Sequence, residues 1–175
     1  MNKKTALLLI DIQNDYFPGG KKEVFESEKA TLKAKDLLAT FRQHKLAIIH
    51  IRHEGAPTST FFLPNTPGSE IHPSVKPLAE ETVIVKHKPN SFFETNLDEE
   101  LKNRKIEHLV LCGMRTNVCV QATTLEALTI GYKVTVVEDA VAALNTTEHQ
   151  TGLKVIADNH VPLVETNELI ESIGQ

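Results

Sequence analysis

The sequence predicts an α/β fold in which helices cover a parallel β-sheet. Six apolar runs of strand length carry that reading: ALLLID (6–11), LAIIHI (46–51), TVIVK (82–86), HLVLCG (108–113), KVTVVED (133–139) and VPLVET (161–166). Helical patterns alternate with them, and strand–helix alternation of this kind gives parallel rather than antiparallel sheets. At 175 residues, 41% of them hydrophobic, the chain can bury one core, and no internal repeat or low-complexity linker divides it. A single domain over residues 1–175 is expected.

The first run follows two lysines in MNKKTALLLIDIQND, but Asp11 interrupts it before it reaches the length of a signal peptide or a membrane span. It reads as a buried strand. Between Ser27 and His44 the apolar positions Ala30, Leu37, Leu38 and Phe41 mark one face of a helix. Further helices are expected at Leu97 to Arg104, Asn117 to Thr129 and Thr147 to Asp158. Arg52 to Glu81 breaks the rhythm, because Pro57, Pro64, Pro67, Pro73 and Pro77 exclude a helix or a central strand. It should be a long ordered loop serving as a lid or binding loop, and its Phe61-Phe62-Leu63 needs something to cover.

A net charge of −4 and a pI near 6.1, with no run of arginine or lysine, argue against nucleic acid as a partner. A small-molecule substrate or a protein partner suits the composition better, and no membrane partner is implied. No G-x-G-x-x-G follows ALLLID, so a dinucleotide cofactor is not expected. Two cysteines with no disulfide-rich framework fit a reducing compartment, which makes a cytoplasmic location the default.

In open parallel sheets ligands bind at the carboxyl ends of the strands, so polar residues that close apolar runs are candidates for a site. Asp11 ends the first run and Lys86 the third, while Cys119 follows the fourth through Gly113-Met114-Arg115-Thr116. If those strands are neighbours, a carboxylate, an ammonium and a thiol meet in one crevice. A free thiol with a pKa of ~8.5 is mostly protonated at neutral pH and needs a base or positive surroundings to act as a nucleophile. Asp11 could take the proton, Lys86 could stabilise the anion, and a helix starting near Thr116 or Asn117 would favour negative charge. Taken singly, Asp11 could equally cap a turn and Lys86 close a solvated strand. Cys112, inside an apolar strand, reads as structural.

His50, His53, His72 and His87 raise the question of a metal. His50 and His53, three apart in or just after a strand, should face opposite sides, and no Asp-x-His or His-x-His pair accompanies them. No metal site is expected.

ALLLIDIQNDYF, VIVKHKPNSFFETNL and LCGMRTNVCVQATTLEAL, followed by GYKVTVVEDAVAA, arrive in an order that resembles the isochorismatase-like cysteine hydrolases. The resemblance runs from Ala6 to about Leu169. It implies a three-layer, Rossmann-like fold with a six-stranded parallel sheet. It also implies an Asp11–Lys86–Cys119 triad in which Cys119 forms an acyl-enzyme and Asp11 acts as base, first on the thiol and then on water. The backbone N–H groups of Arg115 and Cys119 would form the oxyanion hole, next to a cis peptide at Met114–Arg115. Gln13, Phe17 and Phe92 match pocket positions of the family, although Phe92 also suits a core, and Phe61 and Phe62 are further candidates to line the substrate pocket. The stretch IIHIRHEGAP lacks the aspartate of the zinc-binding Asp-x-His pair in nicotinamidases, which leaves the site metal-free. The retained Cys119 favours an amidase over an isochorismatase that cleaves a vinyl ether. Arg115 stands where a small or apolar residue is usual; it could pair with a core carboxylate or receive an acidic substrate. Family members commonly assemble, so a homo-oligomer with residues 52–81 at its interface is expected.

Overall fold

Six strands build one all-parallel sheet in the computed structural model, which describes residues 3–174. They are β1 (Thr5–Ile10), β2 (Ala47–His53), β3 (Thr82–Lys86), β4 (His108–Met114), β5 (Lys133–Ala142) and β6 (Leu163–Val164), in the order β3-β2-β1-β4-β5-β6. All six residues of β1 are buried, as an uninterrupted apolar run demands of a central strand covered on both faces. Leu7 and Leu9 face α1 (Ser27–Gln43), packing with Leu37, Leu38 and Phe41. Leu8 and Ile10 face the other layer, formed by α2 (Leu97–Asn103), α3 (Gln121–Thr129) and α4 (Thr146–Asp158). The alternation of side chains along one strand therefore produces the three layers.

Helix boundaries follow local chemistry. Asn145 caps α4 by accepting a hydrogen bond from the Glu148 N–H at 2.9 Å. A fifth helix, α5 (Thr166–Gly174), begins at the last residue of the expected strand and runs on where the sequence pattern suggested no element. Asp139 on β5 accepts from both the Thr166 N–H and its hydroxyl, so the cap comes from a residue 27 positions away. The last apolar run shrinks to the two residues of β6 because Pro162 supplies a carbonyl, to Val136 N–H, but has no N–H of its own.

The proline-rich segment is ordered by short 3-10 turns at Pro67–Ser69 and Pro73–Val75, each opened by its proline. Its aromatic residues are covered by their own chain. Phe62 is fully buried, with its ring edge-on to Tyr16 at 4.6 Å, and Phe61 stacks on Tyr16 at 6.1 Å. Asp15 anchors this arrangement, accepting from the Phe62 N–H at 2.6 Å. Among the described residues no helix is long and apolar enough to cross a membrane.

Candidate active site

The strand order reverses between β1 and β4, and the crevice at the carboxyl ends of those strands is where ligands bind in sheets of this type. Asp11 stands at that point, one residue beyond β1, in the left-handed region (φ 51°) that aspartate tolerates better than most side chains. Its N–H donates to the Ile51 carbonyl, holding the carboxylate at the carboxyl end of the sheet. Lys86 ends β3, which is not a neighbour of β1 because β2 runs between them. The reach of the lysine side chain makes up the difference. Its Nζ lies 3.0 Å from Asp11 Oδ2 and donates to the Pro89 carbonyl at 2.7 Å, with both side chains fully buried. Beyond this ion pair neither Asp11 oxygen accepts a well-aligned hydrogen bond among the described residues.

Cys119 reaches the same point through an unusual turn. Gly113 adopts φ +116°, and a Cβ there would fall 2.0 Å from the Ile10 carbonyl oxygen, so only glycine lets β4 pass β1 at this level. The following Met114–Arg115 peptide is cis. Thr116–Val120 then forms a single π-helical turn, with the Val120 N–H bonded to the Arg115 carbonyl at 3.1 Å, and regular α-helix begins only at Gln121. The helix start expected near Thr116 is thus a wider turn, and Cys119 lies within it. Cys119 is 4% exposed.

Burial pushes the Cys119 thiol up to about 12; the negative charge of Asp11 adds to this and the Lys86 ammonium opposes it. The resting sulfur is therefore a thiol. For Lys86, burial alone would lower the pKa, but Asp11 and Cys119 outweigh it and hold the ammonium above its ordinary value. Cys112, buried on β4, is pushed up by desolvation alone and makes only a long contact, 3.7 Å, to the Leu8 carbonyl.

Tyr16, which the sequence did not mark, and His53, which it raised only as a metal ligand, both lie beside the triad. The Tyr16 phenol is pushed up by burial and then by its nearness to Cys119 and the Asp11 carboxylate, with Arg115 acting in the opposite sense. His53, the last residue of β2, has a ring nitrogen within 4.8 Å of both the Asp11 carboxylate and Cys119 Sγ. Strand alternation does separate His53 from His50, whose Nε2 meets Glu81 at 3.0 Å on the other side. Asp11, His53 and Cys119 are the one group of three possible metal donors this close among the described residues. The Lys86 ammonium already neutralises Asp11, and a metal cation placed there would meet like charge at short range.

The other expected site residues divide. Gln13 is fully buried with both amide N–H groups engaged, by the carbonyls of His53 and Ser69 at 2.8 Å each, while its oxygen accepts from the His53 N–H at 2.7 Å. It clamps the end of β2 to the long loop, with no donor left for a ligand. Phe62 is core for the reason given above, and Phe92 packs in the apolar layer beside Tyr132, 6.1 Å between rings. Phe17 and Phe61 border a cavity of about 560 Å³ with Leu63 and His72, and Phe17 stacks on the His72 ring at 3.8 Å. Asp11, Lys86 and Cys119 do not line that cavity. The Arg115 guanidinium pairs with Glu148 on α4 at 3.2 Å, and Glu148 also accepts from Asn117 at 3.0 Å.

A doubly wound parallel sheet with a thiol, a carboxylate and an ammonium gathered at its switch point defines an α/β enzyme whose chemistry lies at the strand ends. The chain belongs to the isochorismatase family: the isochorismatase domain matches residues 5–168. It is 49% identical to the Bacillus subtilis isochorismatase family protein YddQ over 159 residues, 90% of this chain and 86% of that one. It is 29% identical to Escherichia coli nicotinamidase, covering 80% of this chain and 84% of the relative. The crystal structure of an isochorismatase hydrolase from Oleispira antarctica superposes with a TM-score of 0.92 at 36% identity over 98% of each chain. That of N-carbamoylsarcosine amidase from Thermoplasma acidophilum gives 0.82 at 27%, over 93% of this chain and 96% of that one. The chain is an isochorismatase-family hydrolase, and relatives in that family act as amidases.

Proposed function

We propose that this hydrolase cleaves a C–N bond in a small amide or ureide through an acyl-enzyme on Cys119, with Asp11 and Lys86 as its partners. The observation that carries the reading is the approach of Cys119 Sγ to within 4.8 Å of a buried carboxylate that Lys86 holds at 3.0 Å. A thiol pushed up to about 12 needs a base beside it, and Asp11 is the carboxylate within reach. The thiol proton passes to Asp11 as sulfur bonds to the carbonyl carbon. The C–N bond then breaks and the Asp11 proton goes to the departing nitrogen. Water adds to the thioester, giving a proton to Asp11, and the C–S bond breaks as the sulfur is reprotonated. The Arg115 N–H, which donates to no protein acceptor among the described residues, is suited to receive the developing oxyanion together with the Cys119 N–H. Lys86, 3.0 Å from the Asp11 carboxylate, holds it in place beside the sulfur.

The names of the nicotinamidase and N-carbamoylsarcosine amidase relatives support amide chemistry. Turnover of a panel of small amides, ureides and isochorismate, with intact-mass detection of acyl-Cys119, tests the reading. Loss of turnover in Cys119→Ala and a trapped acyl adduct are expected. A Cys119→Ala variant that still turns over isochorismate would replace it with vinyl-ether hydrolysis driven by Asp11 alone.

A further inference from the structure

His53 has no part in the triad, yet it completes a triangle with it. One ring nitrogen, one Asp11 oxygen and Cys119 Sγ all lie within 4.8 Å of one another. Three points no farther apart than this leave room for one atom within hydrogen-bond reach of all three, about 2.8 Å from the nitrogen and the oxygen and somewhat farther from sulfur. The triangle therefore has the dimensions of a one-water site with the sulfur as its third corner.

The surroundings fit that use. Backbone bonds in both directions to the buried Gln13 amide fix the His53 main chain, and register pairing with Lys86 aligns it across β2 and β3. Its imidazole makes no hydrogen bond to the protein among the described residues; its one recorded ring contact is with Phe62, at 5.9 Å. Burial lowers its pKa below the usual histidine range. Asp11 opposes this, while Lys86 and His87 add to it. A neutral imidazole keeps one lone pair with which to accept a proton donor.

We propose that His53 is a further catalytic residue, which together with Asp11 holds the water that hydrolyses the thioester on Cys119. This rests on the acyl-enzyme reading above. The water donates one hydrogen to Asp11 and the other to the His53 lone pair, which leaves an oxygen lone pair facing the thioester carbon. The C–O bond forms as the first proton moves to Asp11, and the collapsing adduct expels the sulfur, which takes that proton back. His53 gains and loses no proton over the cycle; its work is orientation, so it acts in the second half-reaction and not in the first.

The test uses 4-nitrophenyl acetate as the acyl donor, with wild type, His53→Asn and His53→Gln. The nitrophenolate burst reports acylation, and the decay of the acetyl mass on Cys119 reports deacylation. The burst rates should agree within about threefold, while decay slows roughly 100-fold in both variants, in the range of a positioned acid–base group. Hydroxylamine, a nucleophile strong enough to do without such positioning, should release the trapped acetyl group from wild type and variants at similar rates. Acetyl-Cys119 that decays at the wild-type rate in His53→Asn would overturn the proposal. So would burst and decay rates that fall by the same factor, which would assign His53 a packing role. Wild type that never carries acetyl on Cys119 would instead sink the acyl-enzyme reading, and this proposal with it.

Discussion

Gly152 of α4 stands so close to Asn117 that a side-chain carbon at position 152 would lie 2.7 Å from the Asn117 backbone nitrogen and 2.9 Å from the Thr116 carbonyl carbon. A helix that presents bare backbone at this contact is what seats the π-helical turn, and Cys119 is only two residues further on. Gly152→Ala must push the turn or the helix aside. Overpacking of that kind costs about 1–3 kcal/mol. A Tm lower by roughly 2–4 °C per kcal/mol is expected, together with a fall in kcat larger than the stability loss explains. Calorimetry and turnover measured on the same sample check both. A Gly152→Ala variant with wild-type kcat would mean that the turn tolerates displacement.

The Asp11–Lys86 pair lies wholly out of solvent, so removing one partner leaves a buried charge without compensation. Lys86→Met should destabilise by about 3–5 kcal/mol at neutral pH. The double variant Asp11→Asn, Lys86→Met should recover much of that loss while remaining inactive. Urea unfolding of the single and double variants gives the coupling directly, and additive losses would show that the two side chains do not interact in solution.

With its thiol pushed up to about 12, Cys119 should alkylate slowly in the resting enzyme. At pH 7 such a group is almost wholly protonated, whereas a free cysteine is a few per cent thiolate. The iodoacetamide rate at Cys119, read by peptide mass, should lie below that of free cysteine at pH 7 and climb steadily between pH 9 and 12. Cys112 should stay unmodified while the fold persists. A plateau below pH 8 would mean that the sulfur rests as a thiolate.

Glu81 supplies a pH dependence of stability away from the site. Its side chain is 6% exposed and receives Arg42 through two nitrogens, at 2.7 and 2.8 Å, the Leu78 N–H and His50. Burial alone would raise its pKa, but these donors prevail and bring it down to about 2 from 4.5. A folded-state pKa below the unfolded one stabilises the fold above pH 4.5, and the stabilisation is lost as pH falls from 4.5 through 2. The shift corresponds to roughly 3 kcal/mol. Glu81→Gln should be less stable at pH 7 by about that amount and should lack this acid transition, as urea midpoints at several pH values would show.

Legibility in the sequence tracked the range of the interactions involved. β1 and β4 were readable because a buried strand needs an unbroken apolar run, and Asp11 stood out as the charge that ends one. The start of α5 was not, since its cap is Asp139 on β5. For the candidate site, Asp11, Lys86 and Cys119 were marked by position at strand ends, although the sequence did not reveal that β2 separates two of the strands involved. Gln13 was misread because a polar residue beside a site looks the same in sequence whether its amide faces a ligand or two carbonyls. Tyr16 was passed over, and His53 was weighed only as a metal ligand, because nothing local tells that a one-turn segment and the tip of β2 converge on a thiol more than sixty residues later in the chain.

The placement of β1 between β2 and β4 also bears on the order in which the enzyme comes into being. Asp11 and Lys86 can meet once the first three strands associate, but the sulfur arrives only with the crossover that lays β4 along the far side of β1. Parallel pairings of this sequence separation close large loops, at a cost in chain entropy. The ion pair and the nucleophile thus hang on separate strand pairings, and the competent centre exists only where β4 lies against β1 and β3 is tied to β1 through β2.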